Sequence, residues 1–283
     1  MSEISIVILT YNSIKFIKSC LDSIFSQDHL NFEVIVVDNG SKDGTASFIK
    51  ENYPLVSLIE NKENLGAAKA RNQGIEATKG EWILTLDCDI ILRENFLSQI
   101  LKSTKILPHN VGIIQPKILR ADRKTIYSTG IFLSSIRRFY DIGKETKDIG
   151  QFDKPRYVFG TCSAAAFYKR QMLEKINEDN GYFDARFFFL VEDVDLAWRA
   201  QRNGWKAVFR PEGVCYHFGN SSGCDKKTRQ YLCIRNRLLL ISKNEKVMGK
   251  IRLIPIFLIY DLPRLLFLLF NLTRVNSGKE VSK

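Results

Sequence analysis

The six cysteines of this 283-residue chain include no C-x-x-C pair and no zinc-like spacing. Of Cys20, Cys88, Cys162, Cys215, Cys224 and Cys233, most sit among apolar neighbours, which suits reduced, buried thiols rather than a disulfide framework. The first strand-like run is followed by neither G-x-G-x-x-G nor a lysine-bearing phosphate loop, so a dinucleotide cofactor and a P-loop are both disfavoured. Repeats, low-complexity tracts and disordered-type composition are also lacking. The start, MSEISIVILTYNS, has a short apolar run and carries Glu3 where a secretory signal would be basic, so no such signal is expected.

Acidic charge is scarce at one end. Residues 226–283 hold 13 Lys/Arg against Glu245, Asp261 and Glu280, a balance of +10, out of +11 for the whole chain. Residues 1–225 are therefore almost neutral. The chain reads as an ordinary globular body with a basic tail, and no nucleic-acid partner is expected.

The body begins with alternating strands and helices. ISIVIL (4–9) is a buried strand, and Ile14, Ile17, Leu21, Ile24 and Phe25 recur at helical spacing behind Asn12 or Ser13 as N-cap. EVIVVD (33–38) and LVSLIE (55–60) are further strands, separated by the turn NGSKDGT and a helix from about Ala46. After the loop NKENLG comes a helix over 67–78, and EWILTLDCDIIL (81–92) reads as the fourth strand. This order predicts a mostly parallel sheet with helices on both faces, where ligands bind at the carboxyl ends of the strands. Those ends are polar here: Thr10-Tyr11-Asn12, Asp38-Asn39 and Asp87-Cys88-Asp89. Asp38 is placed to meet a ribose or base edge. Asp87 and Asp89 lie inside an apolar run and require a counter-charge.

Beyond residue 110 the order loosens. VGIIQPKIL (111–119) is a strand, 120–156 reads as loops and short strands, and 157–170 as a strand entering a helix. In FFFLVEDVDLAWRAQRNGW (187–205), strand-like aromatics run into Glu192, Asp193 and Asp195, and a helix follows, closed by Asn203-Gly204. Three acids at a helix start are also what the helix dipole favours without any catalytic role.

Taken in order, SIVILTYNS, VIVVDNGSKDGT, NLGAAKARNQGI, LTLDCDIIL and EDVDLAWRAQRNGW resemble family 2 glycosyltransferases of the GT-A fold, most of all those of rhamnosyltransferase type, over roughly residues 3–240. The resemblance implies a single mixed, mostly parallel sheet with helices on both faces. It makes 1–225 the catalytic domain, with 1–105 the nucleotide-binding half and 106–225 the acceptor half, and leaves 226–283 as a helical tail. It implies transfer of a sugar, with inversion, from a UDP- or dTDP-sugar to a hydroxyl of a glycan or lipid-linked glycan. By matching position, Asp38 contacts the nucleotide base with help from Thr10, Tyr11 and Asn12, and Arg71 flanks the nucleotide. Asp87 and Asp89 hold ribose and a divalent ion, Mg²⁺ or Mn²⁺, with Asp89 the sharper choice for the metal. Asp193 is the base, and Glu192 and Asp195 position it or its helix. His217, which the sequence places in a Gly/Ser loop within GVCYHFGNSSG, either completes the metal site or is structural. The residue types fit the chemistry: hard cations take carboxylate oxygens, a departing diphosphate needs Lewis-acid stabilisation, and the attacking hydroxyl needs a base.

The tail holds KIRLIPIFLIYDLPRLLFLLFNLTR (250–274), apolar but broken by Pro255, Asp261, Pro263 and Arg264, which disfavours a membrane-spanning helix. A segment lying in the membrane interface, flanked by Arg235, Arg237, Lys243, Lys246, Lys250 and Arg252, fits better; core or homodimer helices are the alternative. That reading places the protein on the cytoplasmic face of a membrane as a peripheral enzyme. A processive synthase is disfavoured because no Q-x-x-R-W motif occurs. A sugar-phosphate nucleotidyltransferase would need a Gly-rich basic loop that ILTYNS lacks. A non-catalytic nucleotide-sugar binder or scaffold would not need Asp89, Glu192 and Asp193 together.

Overall fold

The computed structural model describes residues 3–219 and 223–268. They fall into two units. One holds the described residues up to Leu133 and from Phe139 to Gly223; the other holds Ser134–Arg138 and the described residues from Cys224 onward.

The first unit opens with β1 (Ile4–Thr10), α1 (Ile14–Phe25), β2 (Phe32–Asp38), α2 (Thr45–Asn52), β3 (Ser57–Glu60), α3 (Ala67–Glu76) and β4 (Trp82–Asp87). It continues with β5 (Ile90–Leu92), α4 (Phe96–Thr104), β6 (Val111–Arg120), β7 (Ile126–Ser128), β8 (Ile131–Leu133), β9 (Phe139–Asp141) and β10 (Arg156–Val158). Last come β11 (Ala165–Lys169), α5 (Arg170–Ile176), α6 (Glu192–Arg202) and β12 (Lys206–His217). The main sheet runs β10-β12-β6-β11-β4-β1-β2-β3, with β5 on β12 and β7 on β6. It is mixed: β1, β2, β3 and β4 pair in parallel, whereas β11 enters antiparallel between β4 and β6. This is the GT-A fold.

Strand alternation builds both faces. Ile4, Ile6 and Ile8 of β1 pack on one side with Ile17, Leu21 and Ile24 of α1, while Val7 packs on the other with Ala68 and Ile75 of α3. Gly74 lets α3 lie close on the sheet, since a Cβ there would come within 2.3 Å of Val7 Cγ1.

Three expectations need correction. Residues 81–92 are not one strand: β4 stops at Asp87 and the chain turns, so that β5 leaves β4 and pairs antiparallel with β12. The aromatics before Glu192 form no strand either. Ala185–Phe187 is a 3-10 turn, and Phe188, Leu190 and Val191 follow at φ 64°, 69° and 76°. Phe183 and Phe187 are buried by tertiary packing, which explains their apolar character without a ladder. His217 ends a 12-residue strand rather than sitting in a Gly/Ser loop.

In the second unit, Asp225 caps α7 (Lys226–Asn244) by accepting from the amides of Lys227 and Thr228. α8 (Val247–Ile256) contains Pro255 and passes into a π-helical turn, Phe257–Asp261, with helix continuing over 262–268. The extra residue of the π turn directly follows the proline, which cannot donate its own helical hydrogen bond. Neither Pro255 nor Asp261 breaks this helix. Asp261 is buried and paired with Arg237, whose other donors reach the carbonyl oxygens of Ile136 (2.7 Å) and Arg137 (3.0 Å). Arg137 in turn pairs with Glu245, and the Arg138 guanidinium lies 3.7 Å from the Tyr260 ring centroid. No helix among the described residues is long and apolar enough to cross a membrane. Residues 269–274 of the apolar stretch lie outside the described residues.

Candidate active site

Parallel pairing brings the polar strand ends together. In register, Thr10 lies opposite Asp38, and Leu9 opposite Asp87. Asp38 is buried, and its carboxylate accepts the amide and the hydroxyl of Ser41. Asn12, at φ 49°, donates its amide to Ser41 Oγ (2.8 Å) and accepts the Lys42 amide on Oδ1 (2.7 Å), so the two turns are locked to each other. Tyr11 is partly exposed at this rim. Asn39, which the sequence offers as a polar strand end at the start of a turn, orders the loop before α3. Its Oδ1 accepts from the Leu65 amide and from Asn61 Nδ2, each at 3.0 Å, and its Nδ2 donates to Asn64 Oδ1 at 2.9 Å.

Asp87 and Asp89 flank the turn between β4 and β5. The antiparallel pairing of β5 with β12 sets His217 opposite Ile90, one residue beyond Asp89. His217 Nε2 is 3.2 Å from Asp89 Oδ1, and one ligand atom from each of Asp87, Asp89 and His217 lies within 4.8 Å of the others. His217 Nδ1 is buried without a hydrogen-bond partner among the described residues. Two carboxylates and an imidazole converging in this way fit a divalent cation of the Mn²⁺ type. Tyr127, from the region read as loops and short strands, packs edge-on against His217 with centroids 4.2 Å apart. Cys88 turns away, with Sγ 3.0 Å from Ser13 Oγ.

Arg71 of α3 joins the halves of the site. Its guanidinium donates to Asp87 Oδ1 (2.8 Å) and to Glu192 Oε1 (2.6 Å). Both Arg71 and Glu192 are buried. Asp87 thus has a counter-charge from the protein itself. Burial pushes the Asp87 and Glu192 carboxyls up in pKa, and Arg71 opposes that push in each. Asp193, the next residue, accepts from the Ser163 amide (3.2 Å) and from the Val194 amide (2.8 Å). Desolvation first, and the neighbouring Glu192 charge second, raise its pKa to about 7. That value suits a base that must accept a proton near neutrality. Asp195 is directed elsewhere: it accepts from Arg199 Nε (2.8 Å), and the two terminal nitrogens of the same guanidinium donate to the carbonyls of Ile176 and Tyr182. It therefore secures the chain leading into α6. Ser163 and Tyr127 carried no signal in the sequence, because their positions depend on β11 and β7 joining the sheet.

A family model described as glycosyl transferase family 2 matches residues 5–177. The chain belongs to that family. The match includes Asp38, Arg71, Asp87 and Asp89 and ends before Glu192. Glycosyltransferase GlyG of Streptococcus pneumoniae serotype 4 (strain ATCC BAA-334 / TIGR4) is 40% identical over 106 residues, 35% of this chain and 35% of that protein. Poly-beta-1,6-N-acetyl-D-glucosamine synthase of Staphylococcus aureus (strain COL) is 22% identical over 219 residues, 76% of this chain and 50% of that one. The chain thus spans half or less of these relatives. The solved mannosyltransferase PcManGT from Pyrobaculum calidifontis, in complex with GDP-Man and Mn²⁺, superposes with a TM-score of 0.62 at 20% identity, covering 97% of this chain and 75% of that one. At that identity the likeness is one of fold.

Proposed function

We propose that this family 2 member is an inverting glycosyltransferase that moves a sugar from a UDP- or dTDP-sugar to a hydroxyl of a glycan or lipid-linked glycan. Residues 1–105 receive the nucleotide at Thr10, Tyr11, Asn12 and Asp38, and 106–225 complete the acceptor side. Asp87, Asp89 and His217 hold Mg²⁺ or Mn²⁺, which supplies Lewis-acid stabilisation of the departing diphosphate. Asp193 accepts the proton of the attacking hydroxyl. Its neighbour Glu192 is held by Arg71 and positions the base, as Asp195 positions the helix. One carboxylate base acting on the acceptor is what a single displacement, and hence inversion, requires. Tail residues 226–283 bring the enzyme to the cytoplasmic face of a membrane, where lipid-linked acceptors are accessible.

The observation that carries this reading is the tie from Asp87 through Arg71 to Glu192, beside a base whose pKa is raised to about 7. Thermal shift against UDP, dTDP, GDP and their sugar conjugates, with and without Mn²⁺, tests it. A nucleotide diphosphate should raise Tm in a Mn²⁺-dependent way. If none does, the reading is wrong; stabilisation without sugar transfer to any hydroxyl acceptor would favour the non-catalytic binder.

A further inference from the structure

We infer that the helical run 247–268 is an in-plane membrane helix whose partner is an anionic lipid bilayer; this rests on the membrane placement proposed above and assigns the face that inserts. Leu253, Asp261 and Leu268 are its buried positions, spaced eight and then seven residues apart. Two regular helical turns take about seven residues, so the first interval is one residue too long. The π-helical turn Phe257–Asp261 absorbs that residue and keeps the buried stripe continuous past Pro255.

The same correction keeps an apolar stripe on the outside. Val247, Ile251, Ile254 and Leu258 recur at intervals of four, three and four residues, and Ile259 and Leu266 extend the stripe beyond the π turn; all six are between 49% and 80% exposed. Large aliphatic side chains do not stay in water on this scale without a partner. Asp261 is the sole acid between Val247 and Leu268, and it is turned inward onto Arg237. The exposed charges of the run are Lys250, Arg252 and Arg264, all basic. An apolar stripe with a purely cationic border matches the boundary between acyl chains and anionic headgroups. A second copy of the chain would set two cationic borders against each other, which disfavours self-association through this face.

Co-flotation of the full chain with vesicles tests the inference without reference to activity. Binding is expected to equimolar phosphatidylcholine and phosphatidylglycerol, to be weak to phosphatidylcholine alone, and to fall as salt is raised. Ile254→Asp with Leu258→Asp should reduce binding by an order of magnitude or more, with far-UV circular dichroism and Tm unchanged because both side chains are exposed. As a second readout, Ile254→Trp should show blue-shifted emission when the anionic vesicles are added. A wild-type chain that does not float, or a double variant that floats equally well, overturns the assignment. A wild-type dimer that the double variant converts to monomer also overturns it, in favour of a second copy. None of these results depends on nucleotide binding, so failure here and failure of the transferase reading are told apart by the thermal-shift panel.

Discussion

Arg71 and Glu192 form a buried ion pair at 2.6 Å across 121 residues of sequence. The second arm of the same guanidinium holds Asp87 at 2.8 Å. One planar side chain therefore sets the spacing between the strand end that carries the candidate metal ligands and the helix start that carries the candidate base. An ammonium group cannot reproduce this fork. Arg71→Lys is expected to fold but to bind Mn²⁺ more weakly and to turn over slowly. Arg71→Ala leaves a buried carboxylate uncompensated and should cost about 3–5 kcal/mol in denaturant unfolding.

Asp193→Asn should lower kcat by about 100- to 10,000-fold while leaving Mn²⁺-dependent nucleotide binding in place, read by calorimetry alongside turnover. In the wild type, kcat/KM should rise with pH through an inflection near the raised value of about 7. Stability has the opposite slope. A carboxyl raised in the folded state keeps a proton that the unfolded chain has already released, so unfolding free energy falls as pH climbs from the ordinary aspartate range to about 7. Asp193→Asn removes that penalty. Its Tm should exceed that of the wild type at pH values above the inflection and converge with it in acid.

Asp89→Asn and His217→Ala test the cation site. Each should raise the Mn²⁺ concentration needed for half-maximal nucleotide stabilisation, Asp89→Asn by removing a negative charge that offsets the cation and His217→Ala by removing a neutral ligand. Chelation should abolish that stabilisation in the wild type. A His217→Ala protein with unchanged metal dependence would remove the imidazole from the ligand set and leave it a packing role beside Tyr127.

Gly66→Ala tests the loop that delivers α6. Gly66 sits at φ 85°, and a Cβ there would meet Phe188 Cδ2 at 2.5 Å and the Phe188 carbonyl at 2.6 Å. That carbonyl also accepts the Ala68 amide. The expected loss is about 1–3 kcal/mol, with a fall in kcat as the 188–191 segment shifts Glu192 and Asp193. Gly44→Ala is the comparison. Its φ is 90°, but nothing lies within 4 Å of the added Cβ, so it should show the backbone penalty alone, with kcat retained.

Much of the β1–β4 half was legible because its information is local. Alternating Ile4, Ile6 and Ile8, the helical spacing of Ile17, Leu21 and Ile24, and polar residues where apolar runs stop are enough to place Asp38 and Asp87 at neighbouring ends of parallel strands. Where apolar character came from tertiary burial, periodicity misled. Ile90, Ile91 and Leu92 looked like more of β4 but pair with β12, and Phe187–Phe189 looked like a strand but supply a turn and a loop.

The parallel core, its polar strand ends and the acidic start of α6 follow from local sequence, since burial and backbone preference act over a few residues. Long-range packing is what brings His217 to Asp89, Arg71 across Asp87 and Glu192, and Asp261 inward onto Arg237. Those pairings depend on strand order, on the β5–β12 register and on an extra residue in one helical turn. They are set by how distant segments pack to neutralise buried charge, and no local spacing encodes that choice.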